Sequence, residues 1–110
     1  MHKEPTTYIM MNKTITTIYI GVTSNIEERV LQHKAGVGSE FTSKYKCTML
    51  VYFEQFQKMM DAIDREKQLK NWKREWKLNL IKTMNPEFKD LAKDWFDEQT
   101  IEEYRKNYRK

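Results

Sequence analysis

The sequence holds a single cysteine, Cys47, in 110 residues. That excludes an intramolecular disulfide and a cysteine cluster for structural zinc, and it leaves the thiol as a small, half-buried side chain. No apolar run approaches the ~20 residues that a bilayer span requires, and the first residues lack the apolar core of a signal peptide. No membrane partner is therefore expected, and the cytoplasm is the expected location. There is no internal repeat and no low-complexity linker. The stretch Gly36-Val37-Gly38-Ser39 lacks the Gly-Lys-Ser/Thr ending and the flanking elements of a phosphate-cradling P-loop.

Hydrophobic residues make up 39% of the chain and aromatic ones 13%, against 33% charged. This is enough apolar material for one core in a chain too short for two. The net charge of +4 is unevenly spread. Residues 65 to 82 carry seven Lys or Arg against two acids, and residues 86 to 103 carry seven acids against two bases. A basic helix followed by an acidic one is expected. The basic one is either a solvated face or a surface for phosphates.

The organising stretch runs from Tyr19 to His33. Ser24 followed by Glu27 has the capping-box spacing, so a helix is expected to start just after Ser24. Ile26 and Val30 mark its buried face, and Arg29 and His33, four apart, share a bearing beside that stripe. Upstream, Thr6-Thr7-Tyr8-Ile9-Met10-Met11 and Thr16-Thr17-Ile18-Tyr19-Ile20 have β-branched and aromatic character and predict a hairpin. Period-two alternation sets Tyr8 and Met10 on one face of the first strand, Thr17, Tyr19 and Gly21 on one face of the second, and Ile18 and Ile20 on the other.

Residues 36 to 46 are expected to form a loop, whose Lys44 and Lys46 and aromatic rings suit contact with nucleic acid. Met49 to Phe53 predicts a third strand, central or covered on both faces. From Lys58 to Trp72 the pattern turns helical, with Met59 and Ile63 inward and Glu66 and Lys70 on the same bearing. A carboxylate on an apolar stripe needs a cation, a metal or a raised pKa, so Glu66 is either half of an ion pair with Arg29 or Lys70 or a metal ligand. Trp76, Leu80 and Met84 give a further amphipathic helix that Asn85-Pro86 closes. Trp95, Phe96, Ile101 and Tyr104 mark a terminal helix packed on the domain, followed by a basic tail from Arg105 to Lys110.

Together these residues resemble the GIY-YIG endonuclease superfamily, and within it the small stand-alone bacterial proteins. The resemblance covers residues 6 to 92. The second signature is intact as Tyr19-Ile20-Gly21, and the first is reduced to Thr6-Thr7-Tyr8, which keeps its tyrosine. Arg29 matches the family's arginine on the first helix, His33 the residue one turn later, and Glu66 its metal-binding glutamate. Asn85 is similar to an asparagine found late in many members.

The resemblance implies an α+β fold, a three-stranded antiparallel sheet flanked by helices. Residues 1–92 would form the nuclease-like domain, and 93–110 an extra C-terminal helix and tail on the same domain. It also implies an endonuclease that hydrolyses phosphodiester bonds in DNA, or RNA, with one divalent metal, Mg²⁺ or Mn²⁺, on Glu66. Structured or damaged DNA of repair or recombination is one substrate this leaves open, and the sequence does not choose among branched, single-stranded or damaged DNA and RNA. Tyr8 would be the general base and Tyr19 would position water or metal, or the two would exchange these roles; His33 would orient or relay the proton, and Arg29 would bind the phosphate. Lys44, Lys46, Lys67, Lys70, Lys73, Arg74 and Asn85 are the substrate-binding candidates. Two other readings fit the residues: a nucleic-acid-binding module without catalysis, and a protein-interaction adaptor that uses the acidic C-terminal helix. The oligomeric state is left open.

Overall fold

A computed structural model describes residues 4–108; the last two residues of the expected basic tail lie outside them. Strand β1 (Thr6–Met11) pairs antiparallel with β2 (Ile18–Thr23) and with β3 (Met49–Gln55), in the order β2-β1-β3. Helix α1 (Ile26–Lys34) and the short α2 (Glu40–Tyr45) lie between β2 and β3; α3 (Met59–Asn71), α4 (Arg74–Met84) and α5 (Glu98–Tyr108) follow. The expected α+β sheet with flanking helices is the observed one.

The hairpin is tied at its turn by one side chain. Asn12 Oδ1 accepts from the N–H groups of Thr16 and Thr17 at 2.9 and 3.0 Å. This holds Thr16 and Thr17 out of the ladder, so β2 starts at Ile18 rather than Thr16 and continues past Gly21 to Thr23. Alternation then divides two cores. Tyr8 and Met10 join Ile26, Val30, Cys47, Leu50 and Ala92 on one face, with Tyr19 packed against them. Ile9, Met11 and Ile20 join Val51, Leu69 and Ile81 on the other. The central strand is β1, buried at every position. Strand β3 lies at the sheet's edge yet is covered on both faces, because Leu50 and Val51 enter opposite cores.

Five local expectations are corrected. The cap of α1 is Asn25, whose side chain accepts from Glu28 N at 3.2 Å, one residue later than the Ser24 box. Residues 40 to 45 are helical, because Ser39 caps them through Thr42 N and Lys46 ends them in the left-handed region. On α3 the fully buried residues are Ala62 and Leu69, with Glu66 between them in the i, i+4, i+7 series and Met59 and Ile63 to the side. On α4 Ile81 is buried while Trp76 and Met84 are exposed. Cys47 is fully rather than half buried, and burial pushes its thiol up, away from reactivity.

The outer edge of β3 is closed by the segment after α4. Leu91 N donates to Leu50 O at 2.7 Å, and Asp90 Oδ1 accepts from Leu50 N and Ala92 N, each at 3.0 Å. Asp90 Oδ2 pairs with Lys34 Nζ at 2.5 Å, with both side chains largely buried. This covers backbone groups that an open edge would offer to another chain. Asp90→Ala therefore leaves a buried ammonium without its counter-charge, with only Thr48 O still accepting from it, and two backbone donors without partners, and it is expected to cost about 3–5 kcal/mol of stability in urea unfolding. A loss under ~1 kcal/mol, the scale of an exposed pair, would show that Asp90 does not hold this edge.

Helix α5 returns to α1. Arg105 Nε donates to Ala35 O at 2.9 Å and Gln32 Nε2 to the Tyr104 hydroxyl at 3.3 Å.

Candidate active site

The sheet and α1 bring Tyr8, Tyr19, Arg29 and His33 together. The Tyr8 hydroxyl lies 2.7 Å from His33 Nε2 and accepts from Arg29 Nε at 3.3 Å. Arg29 Nη1 donates to Gln32 Oε1 at 2.7 Å, which fixes the guanidinium along α1. The Tyr19 ring packs edge-on to His33, with centroids 5.4 Å apart, and 6.4 Å from Tyr8.

Two glycines make room for this packing. Tyr8 pairs in register with Gly21, and a Cβ there would sit 2.5 Å from the Tyr8 hydroxyl. A Cβ on Gly38 would sit 2.5 Å from His33 Nδ1. Any side chain at either position would push a ring of the cluster aside.

His33 is wholly buried, and its second nitrogen, Nδ1, lies 2.9 Å from Thr42 Oγ1. Thr42 in turn lies 2.8 Å from Ser39 Oγ. Burial, helped by the nearby Arg29, lowers His33 to about 4, so the ring is neutral at pH 7. In a neutral ring one nitrogen donates and the other accepts. Thr42, by accepting from Nδ1 or donating to it, therefore decides whether Nε2 accepts from Tyr8 or donates to it.

The depressed His33 has a stability consequence. An unfolded histidine takes a proton below pH ~6.5 that the folded ring refuses until about pH 4. The unfolded state thus binds more protons in that window, and stability falls as pH drops through it, by about 3 kcal/mol from this group. The difference in urea stability between the native chain and His33→Gln is expected to shrink from pH 7 to pH 4. A difference independent of pH would mean that His33 is not held neutral.

Tyr8 is also perturbed. Burial pushes its phenol well above the ordinary range, against the pull of Arg29, and Tyr19 and Glu66 add smaller upward pushes. Arg29 is partly desolvated, which favours losing its charge, but Tyr8 and Tyr19 outweigh this and hold it more firmly protonated. Glu66 stands on α3, its side chain mostly buried, with an ion pair of 3.1 Å to Lys70, which is half in solvent. Of the two partners weighed for this carboxylate, Lys70 is the one observed. Among the described residues no three His, Cys, Asp or Glu side chains converge.

The two tyrosines differ in access. Tyr8 has no exposed surface. Tyr19 is half-buried and lines a groove of about 270 Å³ along edge strand β2, with Phe41 from α2 and with Lys70 and Lys77. Phe41 is one of the aromatic rings expected to suit nucleic acid, whereas Lys77 escaped the sequence reading. So did Thr42, whose only sequence signal was the capping serine three residues before it.

The remaining candidates scatter. Lys44, exposed on α2, lies 5.4 Å from the Tyr45 ring centroid, and Lys73 lies 5.6 Å from that of exposed Trp76. Lys67 is exposed on α3, and Arg74 Nη2 donates to Thr16 O at 2.8 Å, tying α4 to the hairpin. Lys46 faces a different cavity, on the Nδ1 side of His33. Asn85 is buried, donating to Val51 O and Lys89 O and accepting from Lys89 N. It organises the turn after α4 and does not join the cluster.

Fold and site thus define an α+β domain with a tyrosine, arginine and histidine cluster on one face of a three-stranded sheet. The chain belongs to the GIY-YIG catalytic domain family, a nuclease family; the family model matches residues 4–79. It is 37% identical to a UPF0213 protein of Staphylococcus haemolyticus over 65 residues, 59% of this chain and 79% of that protein. With a UPF0213 protein of Clostridium perfringens it is 33% identical over 78 residues, 71% of this chain and 84% of that one. A UPF0213 protein of Syntrophus aciditrophicus is 39% identical over 72 residues, 64% and 82% of the two chains. No solved structure matches significantly.

Proposed function

We propose that this chain is a metal-dependent endonuclease that hydrolyses phosphodiester bonds in DNA, working at the Tyr19 and Arg29 cluster beside the groove that Tyr19 and Lys70 line, with Glu66, the ion-pair partner of Lys70, supplied by α3. The observation that carries the reading is Arg29. Its guanidinium is held by Tyr8 and Gln32 beside the tyrosine that faces the groove. A fixed, permanently charged fork suits the charge that builds on non-bridging phosphate oxygens during displacement.

Glu66 fits a hard divalent cation. Mg²⁺ binds through one or two carboxylates, completing its shell with water and substrate phosphate. Glu66 offers one carboxylate whose ion-pair partner, Lys70, is half in solvent and displaceable. When bound, Mg²⁺ or Mn²⁺ would polarise the phosphate and stabilise the leaving oxygen.

The division of labour between the tyrosines is the exchanged one of the two that the family resemblance suggested. Tyr8, buried and held protonated, positions Arg29 and is itself oriented by His33. Tyr19, the tyrosine with access to the groove, takes the proton from the attacking water, because a general base must reach the proton it removes.

Lys70 and Lys77 flank the groove, with Lys67, Lys73 and Arg74 on the same basic pair of helices. Each phosphate contact releases a counterion, so affinity for DNA should fall by orders of magnitude between about 50 and 200 mM salt. Lys70→Gln with Lys77→Gln should flatten the slope of log affinity against log salt by about two. An unchanged slope would take the groove out of the binding surface. The reading as a whole is tested by incubating the purified chain with single-stranded, duplex and branched DNA, and with RNA, in Mg²⁺ and in chelator. Cleavage of DNA that needs the metal supports it, and binding without cleavage of any substrate would leave the inactive binding module.

A further inference from the structure

On the Nδ1 side of His33, away from the groove, lies a second cavity of about 520 Å³. The hairpin turn, the end of α1, α2 with its C-cap Lys46, and α5 line it, and it opens to solvent. We propose that it binds a phosphate monoester of nucleotide size.

Charge is the first argument. Four cations, Lys13, Lys34, Lys46 and Arg105, line the cavity, and no carboxylate does. Two of them are compensated from outside the lining, Lys34 by Asp90 and Arg105 by Glu102. Lys13 and Lys46 are exposed and have no ion pair among the described residues. The uncompensated balance of two positive charges matches a phosphate monoester, which carries about −1.5 to −2 at neutral pH, better than a singly charged diester.

The lining also removes what would repel an anion. The exposed carbonyls at a helix C-terminus carry negative partial charge. Here Arg105 Nε donates to Ala35 O at the end of α1, and Lys34 Nζ donates to Thr48 O at 3.0 Å. Thr14, Ser43 and Thr48 add hydroxyls that can donate to phosphate oxygens. The volume exceeds what an inorganic anion would fill and suits a nucleoside attached to it.

Two sources share this chemistry, a free nucleoside monophosphate and the phosphorylated end of a nucleic-acid strand. His33 and Thr42 belong to the cavity wall, so an occupant would register on the His33 ring.

The test is an NMR titration of the whole chain in metal-free buffer with AMP, adenosine, and a trinucleotide with or without a 5′-phosphate. AMP is expected to shift the amides of Thr14, Thr42 and Thr48 and the His33 ring nitrogens, with adenosine silent. Lys13→Gln with Lys46→Gln should weaken AMP at least ~10-fold while leaving the rest of the spectrum in place. A 5′-phosphorylated trinucleotide that binds more tightly than both AMP and its 5′-hydroxyl counterpart identifies a strand end, and equal binding with AMP identifies the free nucleotide. Silence of both phosphorylated probes at millimolar concentration, or shifts that the double variant leaves unchanged, would overturn the proposal. Cleavage is not read, so failure here is separable from failure of the nuclease reading.

Discussion

Tyr19→Phe is expected to lower single-turnover cleavage by roughly 10²–10⁴, the range for loss of a general base, with DNA affinity little changed. The phenyl ring keeps its packing on His33 and Phe41, and what disappears is the hydroxyl beside Arg29. Tyr8→Phe acts differently. It deletes a buried hydroxyl that holds both Arg29 Nε and His33 Nε2, so it should cost about 1–3 kcal/mol of stability as well as part of the rate. The two variants separate a group that transfers a proton from one that positions a cation. The tyrosine that acts as base should change the pH profile when removed, and the other should lower the rate at every pH alike. Tyr19→Phe with undiminished rate, or a changed profile only in Tyr8→Phe, would return the base to Tyr8.

Glu66→Gln should abolish cleavage at every Mg²⁺ concentration tested and leave the fold intact. The amide keeps the shape of the side chain while losing the charge that a hard cation requires. Its ion pair is with Lys70, which is half exposed, so the loss in stability should stay within ~1 kcal/mol. A structural role alone would give the opposite pattern, with a measurable stability loss and normal cutting. Wild-type rates in Glu66→Gln would remove the metal from this residue.

Much of this site was legible from periodicity. Alternation put Tyr8 with Met10 on one face of β1 and Tyr19 with Gly21 on one face of β2, the pairing register brings those faces together, and the four-residue step put Arg29 and His33 on one side of α1. Alternation gives a face but not a depth. Tyr8 sits on the central strand and Tyr19 on an edge strand, and only the strand order separates a wholly buried tyrosine from one that lines a groove. That order depends on contacts between segments distant in the chain.

The cap of α1 was misplaced because Ser24 and Asn25 are both capping residues and each has a glutamate three positions on, Glu27 and Glu28. The short α2 went unseen because six residues hold too few turns for a period to show. On α4, Trp76, Leu80 and Met84 form one helical series and Leu78 and Ile81 a neighbouring one. The sheet settles the matter by burying Ile81.

The central claim is that a divalent cation and the Tyr19 and Arg29 cluster form one phosphodiester-cleaving centre. Anomalous diffraction from crystals soaked in Mn²⁺ tests it most directly. The account predicts a single strong peak against the Glu66 carboxylate, facing Tyr19 and Arg29, that is absent in Glu66→Gln crystals treated alike. A peak elsewhere with Glu66 still paired to Lys70, or one that survives the substitution, would contradict it.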